Sequence, residues 1–297
     1  MRVAIIGGGA VGLLFGYYFS KSVEDTVVYV RRNEQAQLLN RAGLKLYQEG
    51  TLREVKVQAK VLEEEDQIIA DLVIVAVKQY DLNKLSEVLC RRLARTTKLL
   101  FIQNGMGHIA FLETLPQTCI YVGMVNHGAL KIAEHKVEHS GKGIMKLAAF
   151  RGKLEAVSPM LENLDSTRFP IEFSNDWYSM LAEKLLVNAV INPLTALYHI
   201  ENGALIRNDY FLENMQNLFD EAFESLGLSD KPQKWEYVVN ICRQTATNRS
   251  SMLTDIESGR STEIDAICGY LLERGESANI PMPYTRFVYN GIKGMSV

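Results

Sequence analysis

Lys184, Asn188 and Asn192 recur every fourth residue in the segment 182–195, whose other members are mostly Leu, Val, Ala and Ile. Residues four apart share one face of a helix. Two asparagines buried there without partners would cost several kcal/mol. The stripe is therefore expected either to present a cation and two amides to a cleft or to close a satisfied polar network. A stripe facing bulk water is the other reading, and the poor helix propensity of asparagine weighs against it. Pro193, directly after Asn192, is expected to kink the helix. A second polar cluster is Ser250-Ser251 with Thr262-Glu263. Ser251 or Asn248 can cap a helix, and Thr262-Glu263 can open one with Glu263 favoured by the dipole. A role in a site is the alternative for Ser251 and Glu263.

A different chemistry opens the chain. Arg2-Val-Ala-Ile-Ile6 reads as a buried strand, Gly7-Gly8-Gly9-Ala10-Val11-Gly12 follows at once, and an apolar segment runs to Phe19. Val27 to Val30 is a second strand that ends in Arg31-Arg32. This strand, glycine turn, helix, strand order is that of a dinucleotide-binding unit. Gly7 permits the tight turn, Gly9 lets backbone approach a pyrophosphate, and Gly12 lets helix and strand pack closely. The helix N-terminus then faces the phosphates. NAD-binding units usually carry Asp or Glu at the end of the second strand. An arginine on a 2′-phosphate, worth roughly 1.5–3 kcal/mol, would favour NADP(H) over NAD(H) by roughly ten- to a hundredfold. The pattern alone does not decide between Arg31 and Arg32.

The elements around these residues suggest two domains. Asp71 to Lys78 is a continuous apolar strand, 81–94 a helix, and Lys98 to Asn104 another strand, followed by a helix at 109–115 and a strand at 119–124. Alternation of this kind argues for a doubly wound sheet. Lys78 and Asn104 close two of its strands, where ligands of open parallel sheets bind. Residues 136–150 alternate polar and apolar, as antiparallel edge strands do. From Trp177 onward the periodicity is helical, with main helices at 179–191, 201–226, 233–249 and 262–278. The expected architecture is α/β: an N-terminal Rossmann-type doubly wound sheet (1–175) followed by an all-α C-terminal domain (176–297). The cleft between them is the default site.

Composition narrows the function classes. The 297 residues carry a net charge of −3 and are 47% hydrophobic, so no sequence-independent attraction to nucleic acid is expected. No apolar run reaches the roughly 18 residues of a membrane span, and Met1-Arg2 leads straight into the first strand without a signal-peptide pattern. Cys90, Cys119, Cys242 and Cys268 are scattered, which suggests buried free thiols in a reducing cytoplasm. His135 and His139 lack a third ligand nearby, so a solvated polar segment is expected there and no metal.

Across these motifs the chain resembles the 2-dehydropantoate 2-reductase, or ketopantoate reductase, family nearly end to end. The resemblance is carried by the glycines at 7–12, Val77-Lys78, Gln103-Asn-Gly-Met-Gly107, His127-Gly-Ala129, the segment from Lys184 to Thr195, Glu201-Asn-Gly203, Ser250 to Asp255 and Thr262 to Asp265. Gly128 departs from the alanine common in relatives, which leaves backbone proximity intact, and Gln103 is a variable position. The resemblance implies NADPH-dependent reduction of 2-dehydropantoate to pantoate, on the way to coenzyme A. It implies Lys184 as the catalytic lysine, with Asn188, Asn192, Asn202 and Ser251 binding substrate. It further implies Gly7, Gly8, Gly9, Ala10, Val11, Gly12, Arg31, Lys78, Asn104, Ala129 and Glu263 as contacts of NADPH/NADP+. A lysine near the C2 carbonyl can stabilise the developing oxyanion and donate the proton. Glu263, if close, would act catalytically by keeping that lysine protonated. A homodimer is compatible with the family. A related reductase of another 2-keto or 3-hydroxy acid and a non-enzymatic NADPH sensor are the rival readings. The sensor would have no reason to keep Lys184, Asn188 and Asn192 on one face.

Overall fold

A computed structural model describes residues 1–295; the last two residues of the expected C-terminal domain lie outside the described residues. The chain divides into two units. One comprises Met1–Gln103 and Ala110–Trp177, the other Asn104–Ile109 and the chain from Tyr178 onward. The expected cut at 175/176 leaves out the transfer of Asn104–Ile109 to the helical unit.

The first unit holds twelve strands: β1 (Arg2–Ile6), β2 (Asp25–Val30), β3 (Leu44–Gln48), β4 (Thr51–Val55), β5 (Gln58–Val61), β6 (Leu72–Val75), β7 (Lys98–Phe101), β8 (Ile120–Val125), β9 (Gly128–Ala133), β10 (Lys136–Gly141), β11 (Met145–Arg151) and β12 (Ile171–Ser174). Eight form a sheet in the order β12-β11-β8-β7-β6-β1-β2-β5. The pairs from β5 across to β8 are parallel, and β11 runs antiparallel to β8. β1 and β6 are continuous apolar runs because strands in the middle of a parallel sheet are buried on both faces.

A second sheet, β4-β3-β10-β9, is absent from the sequence reading. It explains why the helix Ala10–Ser22 is apolar nearly all round. Gly12 to Phe19 are all buried, and the helix packs against β1 and β2 on one side and β3, β9 and β10 on the other. The expected edge strands at 136–150 are in fact divided: β10 belongs to the second sheet and β11 to the first. Two further expectations are corrected. The helix at 81–94 is a 3-10 stretch, Gln79–Leu85, followed by a short α-helix, Ser86–Arg91. The thiols of Cys242 and Cys268 are buried, but Cys90 is exposed.

His139 is 4% exposed rather than solvated. It joins Tyr18, Gln48 and His127 in a buried chain. Gly143 N–H can only donate, so His127 Nδ1 accepts from it at 3.2 Å and from His139 Nε2 at 2.9 Å. His139 Nδ1 then accepts from Tyr18 OH at 2.9 Å and Gln48 Nε2 at 3.2 Å. This polarity leaves both imidazoles neutral, with His127 Nε2 buried and unpartnered. Burial, with His139 and Lys142 nearby, pushes His127 down to about 4.

The second unit is helical. Its long helix runs Trp177–Tyr198, with Pro193 inside it. Leu194, Thr195 and Ala196 beyond the proline are buried, so packing continues a helix from which the ring removes one hydrogen bond. By length and composition this helix could cross a membrane, but 72% of its apolar window is buried inside the protein. The remaining helices are Asp209–Leu226, Lys231–Gln244, Ser251–Glu257, Tyr270–Ala278 and Pro283–Met295, with a π-helical turn at Asp265–Gly269. The first three of these are capped by Asn208, Asp230 and Ser250. Buried Glu221 accepts from the N–H groups of Tyr284 (2.9 Å) and Thr285 (2.7 Å), at the start of the last helix.

Candidate active site

In the first unit, β1 delivers the chain into the glycine turn. Gly7 has φ +124°, and a Cβ there would lie 2.9 Å from the Ala76 carbonyl carbon. A Cβ on Gly12 would meet Gly7 O at 1.9 Å. Both positions therefore require glycine for backbone packing. Gly9 is different: nothing lies within 4 Å of its Cβ position, which leaves room for a ligand's close approach. Gly9 precedes the helix Ala10–Ser22, whose first turn has no acidic residue and no side-chain cap. The N-terminal N–H groups there, including those of Ala10 and Val11, are suited to an anion. Gly8 is fixed from behind, its carbonyl accepting from Gln35 Nε2 at 2.9 Å.

β2 ends at Val30, and the two arginines after it differ. Arg32 is paired with Glu134 Oε2 at 2.5 Å. Arg31 is exposed and forms no ion pair among the described residues. Lys78 caps the 3-10 stretch after β6 and is half-buried. Ala129 lies on β9, opposite His139 and packed on the core. The turn geometry and the open face at Gly9 fit a dinucleotide.

In the second unit, a cleft is lined by Asn104, Asn188, Asn192, Ser251, Met252, Asp255, Glu263 and Ile267. Asn188 and Asn192 reach it because they share the helix face expected for them. Ser251 reaches it from the first turn of its own helix. That helix is capped by Ser250, not by Ser251 or Asn248: Ser250 Oγ accepts from Leu253 N at 3.1 Å and bonds Thr195 Oγ1 at 2.8 Å.

Glu263 and Asn104 meet directly, Asn104 Nδ2 donating to Glu263 Oε2 at 2.9 Å. Two backbone devices hold this pair. Gly105 has φ +76°, and a Cβ on it would lie 2.2 Å from Ala266 O, so the turn after Asn104 sits against the backbone of the π-helical turn. Met106 N donates to the same carbonyl at 3.4 Å. Single π-helical turns recur at functional sites because they re-aim a helix's side chains.

Lys184 is one turn before Asn188 on the same helix. It interacts electrostatically with Glu263, which lines the cleft. Burial lowers the Lys184 ammonium to about 8, while the Glu263 charge pulls it upward. A lysine so placed is protonated at neutral pH and can give up its proton with little cost.

Asn202 is not among the cleft residues. Its Nδ2 donates to Thr245 Oγ1 at 2.9 Å, and its Oδ1 is buried without a partner. Asp255 is a cleft residue that the sequence reading did not select. Its position four residues after Ser251, on the same helix face, is the signal that could have found it. Its carboxylate pairs with Arg260 at 2.9 Å.

Residues 3–152 match the family profile described as "Ketopantoate reductase PanE/ApbA", and residues 176–296 match "Ketopantoate reductase PanE/ApbA C terminal". A 2-dehydropantoate 2-reductase of Bacillus subtilis is 40% identical over 296 residues, covering 99% of this chain and 97% of that protein. One from Listeria innocua is 37% identical over 298 residues, with the same coverage. The crystal structure of a probable 2-dehydropantoate 2-reductase from Bacillus subtilis superposes with TM-score 0.91 at 39% identity, covering 99% of this chain and 100% of that one. D-mandelate dehydrogenase in a ternary complex with NADH and anilino(oxo)acetate has the same fold, with TM-score 0.90 at 24% identity, covering 100% of this chain and 98% of that one.

Proposed function

The chain belongs to the ketopantoate reductase PanE/ApbA family, and we propose that it reduces 2-dehydropantoate to pantoate with NADPH. The carrying observation is the cleft in which Asn188, Asn192, Ser251 and the Asn104–Glu263 pair converge beside a lysine with a lowered pKa.

NADPH, when bound, supplies the hydride equivalent. Gly7 to Gly12 would hold its pyrophosphate through backbone N–H groups, Arg31 its 2′-phosphate, and Lys78 and Ala129 further parts of the nucleotide. In the helical unit, Lys184 holds a proton for the C2 oxygen of the substrate and stabilises the negative charge that collects there. Glu263 keeps Lys184 charged, and Asn104 orients Glu263 by its hydrogen bond. Asn188 and Asn192 offer amides to the hydroxyl and carbonyl, and Ser251 a hydroxyl to the carboxylate.

Lys184→Ala tests the role of the proton donor. NADPH binding should remain within a few-fold of wild type while turnover falls by roughly 10²–10⁴. Near-normal turnover with intact NADPH binding would remove Lys184 from the chemistry.

A further inference from the structure

Glu134, in the turn between β9 and β10, is tied at both ends to the nucleotide-binding elements. Its backbone carbonyl accepts from Gln35 Nε2 at 2.9 Å, and the same nitrogen donates to Gly8 O at 2.9 Å. Gln35 is 4% exposed, so this clamp is internal. The Glu134 side chain points to a different task. Its Oε2 takes Arg32 at 2.5 Å and Lys131 at 2.8 Å. One carboxylate oxygen thus holds two cations within about 5 Å of each other, and one of them directly follows Arg31.

We propose that Glu134 is a specificity-determining residue for the nucleotide. By holding Arg32 and Lys131 as its counter-ions, it leaves the 2′-phosphate to Arg31, which forms no ion pair among the described residues. It thereby sets NADPH affinity below what the basic cluster could reach. The proposal rests on the reading that Arg31 meets the 2′-phosphate. Its physical basis is that the negative carboxylate beside the strand end repels a doubly charged phosphate and occupies the two donors that would otherwise turn to it. A uniformly stronger grip would also slow departure of the oxidised nucleotide, a step that limits many dehydrogenase-type cycles.

The test is equilibrium binding of NADPH and NADH, followed by nucleotide fluorescence, to wild type and Glu134→Gln. Glutamine keeps the side-chain length and the backbone carbonyl that Gln35 uses. A unit charge about 8 Å from a doubly charged phosphate in a water-like dielectric corresponds to about a fivefold change. NADPH should bind about fivefold more tightly to Glu134→Gln at about 0.02 M salt, with NADH changed by less than about twofold, and the gain should shrink at about 0.5 M. Arg32→Ala leaves the Glu134 charge less compensated and should weaken NADPH binding at low salt, with NADH changed by less than about twofold. Unchanged or weaker NADPH binding in Glu134→Gln overturns the proposal. A parallel shift of both nucleotides also overturns it and makes Glu134 a support of the glycine turn. Arg31→Ala separates the two layers: if NADPH binding survives that change, the 2′-phosphate reading itself fails.

Discussion

Replacing Glu263 by glutamine should move the alkaline limit of activity to lower pH. Burial has lowered Lys184 from 10.5 to about 8, and the negative charge of Glu263 opposes that fall. A general acid must be protonated, so kcat/KM should decline above about pH 8 in wild type. Glu263→Gln removes the charge while keeping an acceptor for Asn104 Nδ2, whose bond is 2.9 Å long. Two unit charges about 6 Å apart at an effective dielectric constant of about 20 interact by about 3 kcal/mol. That corresponds to about two pKa units, of which solvent at the cleft mouth leaves at least about one. The limb should therefore move from about pH 8 to about pH 6–7. At pH 7 the loss should be several-fold, and near pH 5.5 much of the activity should return. The assay is kcat/KM for 2-dehydropantoate between about pH 5 and 10 at saturating NADPH, with Lys184→Arg as a control that should abolish the limb. A limb that stays near pH 8, with activity reduced equally at every pH, would refute the electrostatic role of Glu263.

Other outcomes follow from the same geometry. Gly105→Ala forces a side chain to within 2.2 Å of Ala266 O at φ +76°. It should lower thermal stability by about 2–4 kcal/mol-equivalents and raise the KM for substrate as Asn104 is displaced; an unchanged KM would show that the turn does not position Asn104. His127 is held neutral in the fold, its pKa lowered to about 4. Its contribution to stability is therefore fully present above about pH 6.5 and lost as pH falls toward 4, by up to about 3 kcal/mol. The dependence of Tm on pH in this range should be shallower in His127→Phe, and equal slopes would contradict the neutral imidazole chain. Glu221→Ala removes the acceptor of two buried N–H groups. It should cost about 1–3 kcal/mol in urea unfolding and raise hydrogen exchange in the helix Pro283–Met295; unaltered exchange there would argue against the cap.

The parts of this fold that were legible in the sequence are those with one dominant local signal. β1, the glycine turn and β2 were readable because glycine chemistry and continuous burial leave few alternatives. The face shared by Lys184, Asn188 and Asn192 was readable because helical periodicity alone brings such residues together, and Asn188 and Asn192 line the cleft. The second sheet was not readable: β3 and β4 are short, partly exposed strands that pair with each other, and the pairing of β3 with β10 that completes the sheet spans about ninety residues. Its existence was hinted at only by a helix, Ala10–Ser22, too apolar for one covered face. Pro193 does not end its helix, because burial on both sides of the ring outweighs one lost bond. His139 appeared solvated among charged neighbours, yet alternation along β10 turns it inward toward Tyr18. The pairing of Asn104 with Glu263 spans 159 positions and depends on the backbone seat of Gly105, which no local pattern encodes.

The most direct measurement is the oxidation of NADPH by purified protein in the presence of 2-dehydropantoate, followed at the reduced-nicotinamide absorbance band, with NADH in parallel. The account predicts rapid turnover with NADPH and kcat/KM roughly ten- to a hundredfold lower with NADH, the difference expected for one arginine on a 2′-phosphate. Absence of oxidation despite NADPH binding, or equal rates with both nucleotides, would contradict it.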